Sequence, residues 1–443
     1  MTRLATLIVL IAITTSAHAG DWPHWRGPNY DGSAEAKNLP TDFSKTKNVK
    51  WAATMPGPSE GTPIVFGDQV FVSSVDIKHQ KLMAIALNRN TGKDTWRRVA
   101  GTGYQPQGHG TPISIHKNST YAAPSPVTDG NVVVFFYGNG DLVACEMDGK
   151  FRWTRNLQKE YGDFTYQWTY SASPTIYDGR IYVQVLQRDE VVHGRGKAGA
   201  ESYVLAINPK DGKTIWKHIR PSKANKESLE SFSTPIPFEQ NGRREIIIKG
   251  GDVLTGHDPA TGKELWRWGT WNPGHREVWW RVVPTPVVGA GLVLACAPKN
   301  APVFAISLGG KGDVSSSALR WKSEKRSPLT SDVPTPLFYR GKFYVLSDKK
   351  KSISRVNPAD GKVEWTTKMP GRYLWRASPT GADGKIWCIN HGGQVVILNP
   401  SDGKIINSVA MGAEGADRIR SSIVVANDHL YIRTNSKLYC VGK

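Results

Sequence analysis

Arginine, tryptophan or both cluster at four places in this sequence. They are Tyr166-Gln167-Trp168, His275-Arg276-Glu277-Val278-Trp279-Trp280-Arg281, Arg372-Tyr373-Leu374-Trp375-Arg376 and Arg418-Ile419-Arg420. A guanidinium fork grips a carboxylate or phosphate through two parallel hydrogen bonds. An indole face stacks on sugars, quinones or peptide side chains, and both residue types are enriched in binding hot spots. Trp168, Arg276, Trp279, Trp280, Arg281, Arg372, Trp375, Arg376, Arg418 and Arg420 are therefore the candidate ligand-binding residues. The competing reading pairs these arginines with Glu230, Glu277, Asp332 or Asp417 and uses the tryptophans to fill loop cores. No catalytic set stands beside them. His109, His116, His193, His257, His275 and His391 show no metal-ligand spacing such as His-Glu-x-x-His, so no metal site is expected. Cys145, Cys296, Cys388 and Cys440 are scattered, with no Cys-x-x-Cys, and read as small buried apolar residues, with one long-range disulfide as the alternative.

These clusters lie between the units of an internal repeat. One signal is a tight turn followed by tryptophan: Thr91-Gly92-Lys93 with Trp96, Asp148-Gly149-Lys150 with Trp153, and Asp211-Gly212-Lys213 with Trp216. Thr261-Gly262-Lys263 with Trp266 and Asp360-Gly361-Lys362 with Trp365 continue it. Asp402-Gly403-Lys404 keeps the turn but puts Asn407 at the tryptophan position, while Trp321 follows an irregular turn and Trp51 none. The second signal is a Ser/Thr-Pro step before an apolar run: Thr62-Pro63, Ser125-Pro126, Ser173-Pro174, Thr234-Pro235, Thr285-Pro286, Thr335-Pro336 and Ser378-Pro379. Ser421-Ser422 holds the eighth place without proline.

Between the markers lie short runs rich in β-branched and aromatic residues, such as Val132 to Tyr137, Leu292 to Cys296 and Leu430 to Thr434. Asp-Gly and Thr-Gly dipeptides join them as hairpin signals, so each unit reads as four antiparallel strands. The first strand, near Trp51, precedes any Ser/Thr-Pro step, and Lys437 to Val441 is a third strand with no fourth. Together they make one complete unit, which leaves no long sheet edge unpaired. The expectation is an all-β, eight-bladed β-propeller of four-stranded antiparallel blades, its ring closed by the N-terminal strand joining the C-terminal blade. In a propeller the connections between blades gather on one face around the central channel. The arginine and tryptophan clusters fall in those connections, which predicts a channel mouth.

The Gly-Lys-x-x-Trp turns and Ser/Thr-Pro strands resemble the repeat of the pyrroloquinoline-quinone (PQQ) quinoproteins. That superfamily also includes the propeller lipoprotein of the outer-membrane barrel-assembly machine. Asp21-Trp22-Pro23-His24-Trp25-Arg26-Gly27-Pro28-Asn29 and the stretch from Asn118 to Pro126 resemble secreted planctomycete-type members. The resemblance implies that Trp51, Trp96, Trp153, Trp216, Trp266, Trp321 and Trp365 dock neighbouring blades, and a large ring at one fixed place per unit is by itself a packing device. The family's alcohol dehydrogenases hold the quinone over calcium, against a disulfide between adjacent cysteines. Here no two cysteines are adjacent, no Cys-x-x-Cys-His marks an attached haem, and no quinone or calcium ligand set carries over. The leading reading is a non-catalytic binding or scaffolding propeller with no cofactor. The alternative is a PQQ- and calcium-dependent dehydrogenase of alcohols or sugars.

Met1-Thr2-Arg3, the apolar run from Leu4 to Ile13 and Ala17-His18-Ala19 read as a signal peptide over residues 1–19, leaving 20–443 as one propeller domain. Ten apolar residues are too few to span a bilayer, which needs about 20. No cysteine near the cleavage site offers a lipid anchor, which counts against a membrane-attached assembly factor. The mature chain is expected in the periplasm or outside the cell, without a transmembrane segment, as a monomer. A net charge of +19 favours anionic partners. Export directs that preference away from nucleic acid and towards an envelope protein or an anionic ligand.

Overall fold

The computed structural model describes residues 20–103, 119–269, 271–325, 327–413 and 418–443. The expected signal peptide, His109, His116, Asn118 and Asp417 lie outside them. Eight sheets follow one another along the chain, each led by a short innermost strand. Blade 1 holds Ile64–Phe66, Gln69–Asp76, Lys81–Asn88 and Asp94–Thr102, every neighbour antiparallel. Blades 2 to 7 repeat the pattern. In blade 8, Val424–Ala426, His429–Arg433 and Lys437–Val441 are joined by Val49–Thr54, in register from Val49 opposite Val441 to Thr54 opposite Lys437. The middle strands are buried nearly throughout, as in Arg180–Val185 and Tyr203–Ile207, because each blade is sandwiched between two others.

The turn-and-tryptophan signal has a direct packing cause. The turn glycines Gly92, Gly149, Gly212, Gly262, Gly361 and Gly403 all adopt φ of 68–85°. Each lies flat on the indole of the preceding blade, so that an added Cβ would sit 2.5–2.6 Å from ring atoms of Trp51, Trp96, Trp153, Trp216, Trp321 and Trp365 respectively. Each of those indoles donates its Nε1–H to a carbonyl of the next blade's turn, at 2.7–3.2 Å. Six tryptophans thus latch blade to blade.

Trp266 differs from the expectation. Its Nε1 donates within its own blade, to the Glu245 carboxylate at 2.6 Å. The lengthened turn of blade 5 carries Gly312–Asp313 back onto blade 4, where it pairs in parallel with Trp266 and Arg267 as a fifth strand. That insertion replaces the glycine turn which would have covered the indole. At the position without tryptophan, the Asn407 amide donates to the Thr41 carbonyl at 2.8 Å instead.

The Ser/Thr-Pro signal also has a cause. The eight residues before the inner strands form a closed chain of hydrogen bonds: each backbone N–H donates to the next blade's hydroxyl. The sequence is Thr62 to Ser125, Ser173, Thr234, Thr285, Thr335, Ser378, Ser422 and back to Thr62, at 2.9–3.2 Å. Proline follows where no further ladder bond is needed. All four cysteines are buried free thiols, and burial pushes Cys145, Cys296 and Cys440 up to about 12.

Candidate functional site

Residues from seven of the eight connections between blades converge on one side of the hydroxyl ring. Trp168, Thr169 and Ser171 come from the connection into blade 3, Phe232 from that into blade 4, and Arg281 and Val283 from that into blade 5. Val333, Leu374 with Arg376, and Arg420 come from the next three, and Ser119 from the connection into blade 2. Together they enclose a cup of about 380 Å³. Below it a neck of about 120 Å³ passes through the hydroxyl ring, lined by Ser125, Ser173, Ser378, Ser422, Glu60 and others.

The neck is closed underneath by the segment from Gly20 to Ala34. Trp22 bridges to Val65, the Pro23 carbonyl accepts from Thr128 N–H at 3.1 Å, and Tyr30 Oη donates to the Ile176 carbonyl at 2.8 Å. On the far side, the Asp31 carbonyl accepts from Phe338 N–H, Gly32 from Gly381 and Gly20 from Asn427. Arg26, 1% exposed, donates to the carbonyls of Pro336 and Pro379. Burial drags its guanidinium down to about 10, partly offset by the Asp31 charge. Trp25 faces the neck as its floor. The Asp21-to-Asn29 motif therefore plugs the channel, so the cup opens on one face only.

Three guanidinium groups meet in the cup. Arg281 is held by Asp332 through two hydrogen bonds of 3.1 and 3.3 Å, with Glu227 at 3.8 Å. Burial alone would raise the Asp332 carboxyl, but the Arg281 charge and hydrogen bonds bring it below its ordinary range. Arg376 approaches Asp348 only to 3.5 Å, and its buried Nε has no hydrogen-bond partner. Arg420 has neither a hydrogen bond nor an ion pair among the described residues, and its Nε is buried. Burial pulls Arg420 down to about 10, Glu60 opposes this, and Arg376, Arg281 and Arg418 add to it. Burial, with Arg420, Arg376 and Arg418, also holds the neighbouring His391 imidazole down to about 3.

Four of the ten candidates therefore line the cup: Trp168, Arg281, Arg376 and Arg420. Trp279 lies outside the lining, half exposed, with Lys226 and Arg188 over its ring at 5.4 and 5.9 Å. Arg276 and Arg418 are exposed and do not line it. Arg372 is exposed and stacks on Tyr373 at 4.9 Å. Trp280 packs on the core between blades 4 and 5. Trp375 is fully buried among Leu337, Tyr344 and Ile386, its Nε1 donating to Pro370, and presents nothing to the cup. Of the acids weighed as partners, Asp332 does pair with Arg281, whereas Glu230 pairs with Arg188 at 2.5 Å. The hydroxyl ring, Glu60, Phe232 and the Trp25 floor were not expected as lining. For the ring, the fixed Ser/Thr before proline was the available signal.

Among the described residues no cluster of three His, Cys, Asp or Glu could hold a metal ion. No carboxylate lines the cup and Glu60 alone lines the neck, while the cysteines are far apart in separate strands. This donor set does not fit a calcium-bound quinone.

Fold and site define an eight-bladed PQQ-like propeller with an arginine-lined cup at a channel closed from below. The chain belongs to the family described as outer membrane protein assembly factor BamB, whose model matches residues 42–163, 85–312 and 311–443. It is similar to the polyvinylalcohol dehydrogenase of a Pseudomonas species, 25% identical over 247 residues, which is 49% of this chain and 35% of that enzyme. A second such enzyme, from Sphingopyxis sp. (strain 113P3), is 23% identical over 254 residues, 54% of this chain and 36% of the enzyme. The chain thus matches about a third of the length of these curated relatives. Among solved structures, BamB from Moraxella catarrhalis superposes with a TM-score of 0.60 at 15% identity, covering 89% of this chain and 99% of that one. A europium-containing methanol dehydrogenase gives 0.66 at 12% identity, over 95% and 91% of the two chains. These likenesses carry the fold alone. No helix among the described residues is long and apolar enough to cross a membrane.

Proposed function

We propose that this chain is an exported, non-catalytic binding propeller of the cell envelope, acting as a single copy. Its cup receives an anionic or aromatic group, free or carried by a partner protein. One observation carries this reading: Trp168, Arg281, Arg376 and Arg420 arrive from four separate connections in one cup with walls of Phe232, Val283, Val333 and Leu374. Guanidinium donors incompletely matched by acids favour an anionic group; the apolar walls and indole favour a flat body behind it. The basic, apolar and small-residue succession before Gly20 supports export. The family's description supports a role at the envelope.

Calorimetric titration with 2-naphthoate, an aromatic carboxylate, tests the reading. Binding should weaken at least tenfold in Arg281→Ala and Arg376→Ala, and the neutral 2-naphthalenemethanol should bind far less well. Equal affinity in both variants would rule the cup out. Similarity to the polyvinylalcohol dehydrogenases favours a second reading, a PQQ-dependent dehydrogenase. Dye-linked oxidation of alcohols or polyvinyl alcohol after adding PQQ and calcium would establish it in place of the first.

A further inference from the structure

We propose that the neck holds a small inorganic monoanion of the halide class, seated on the ring hydroxyls beneath Arg376 and Arg420. This site adjoins the cup and shares Arg376 and Arg420 with it. Each ring hydroxyl already accepts an amide N–H from the preceding blade, as described above. None of the eight donates its own O–H to a protein acceptor among the described residues. Five of them, from Ser125, Ser173, Thr234, Ser378 and Ser422, line the neck. The ring therefore offers converging donors, with its hydroxyl oxygens engaged by amides.

Positive charge above the ring is incompletely matched. The buried Nε atoms of Arg376 and Arg420 have no hydrogen-bond partner, and Arg420 has no ion pair among the described residues. Glu60 is the opposing acid, and its carboxylate already accepts from Thr120 N–H and O–H at 3.0 and 2.6 Å. Isolated buried charge is costly unless a counter-ion or hydrogen bonds meet it. A volume of about 120 Å³ is several times the ~10–15 Å³ that a single water needs, enough for one halide with its remaining waters. A spherical ion accepts from rotatable hydroxyls in any direction. A tetrahedral dianion would instead bring a second negative charge against Glu60. Trp25 closes the lower end, so the ion exchanges only through the cup.

Crystals of residues 20–443 soaked in sodium bromide should show an anomalous bromine peak within hydrogen-bonding distance of ring hydroxyls. In solution, sodium bromide should raise the Tm above that in sodium gluconate at equal ionic strength, since a ligand of the native state stabilises it. Arg420→Gln should weaken the bromide dependence at least tenfold, while Arg420→Lys retains most of it. A neck containing only water overturns the proposal. So does a bromide response equal to that of gluconate, or one unchanged in Arg420→Gln.

Discussion

Two glycines with nearly the same backbone separate what the latch contributes from what the turn contributes. Gly212, at φ +73°, lies on the indole of Trp153, where a Cβ would stand 2.6 Å from Cδ2. Gly242, at φ +75° in the Asn241-Gly242 hairpin turn of blade 4, has nothing within 4 Å of that position. Alanine at either site bears the left-handed penalty of ~1–2 kcal/mol, offset by ~0.4–1 kcal/mol through a stiffer unfolded chain. Gly242→Ala should therefore lose about 1 kcal/mol. At Gly212 the methyl must also displace the indole, an overpacking cost of ~1–3 kcal/mol. It further threatens the Trp153 Nε1–H bond to Pro209, 2.9 Å long and worth about 1 kcal/mol. Gly212→Ala should lose ~2–5 kcal/mol in all, three times its partner or thereabouts. Urea unfolding followed by tryptophan fluorescence measures both, the comparison being valid where the slopes agree. If the two variants lose the same stability, the latch adds nothing to blade docking and the account of the repeated tryptophans fails.

His24 is half-buried, hydrogen-bonded to Tyr30 Oη at 2.9 Å, and desolvation holds its imidazole down to about 3. Between the unfolded pKa near 6.5 and that value, the unfolded chain binds a proton that the native state refuses. Stability should thus fall with falling pH by up to ~1.4 kcal/mol per pH unit from this group. His24→Asn should flatten the curve of stability against pH over that window, and an unchanged slope would remove His24 from the account. The four cysteines should be silent to a thiol-specific reagent in the native protein and react with four equivalents in urea, because all are buried and only the thiolate attacks. Rapid labelling without denaturant would contradict the placement of these strands.

The ring was legible because its two markers are forced once per blade by the same geometry. Only glycine fits flat on the latch indole, and a hydroxyl must stand where the next amide needs an acceptor. The site was half legible. Trp375 and Arg376 are adjacent, yet on an extended connection neighbouring side chains point opposite ways, one into the core between blades 6 and 7 and the other into the cup. Spacing along the chain does not say which. Trp266 carries the regular marker, but the strand that displaces its partner turn comes from the next blade's insertion. The plug carries no periodicity at all. Arg26 reads as an ordinary basic residue until carbonyls 310 and 353 positions away close around it.

A circle whose join lies inside a sheet has a peculiar relation to breakage. The ends are fastened by the ladder from Val49 opposite Val441 to Thr54 opposite Lys437, and by the Ser422–Thr62 link of the hydroxyl ring. One scission in a surface connection leaves two pieces that still grip each other on both flanks, at the cut and at the join. Release of a piece then means parting two non-covalent seams at once, so a single proteolytic nick leaves the wheel assembled.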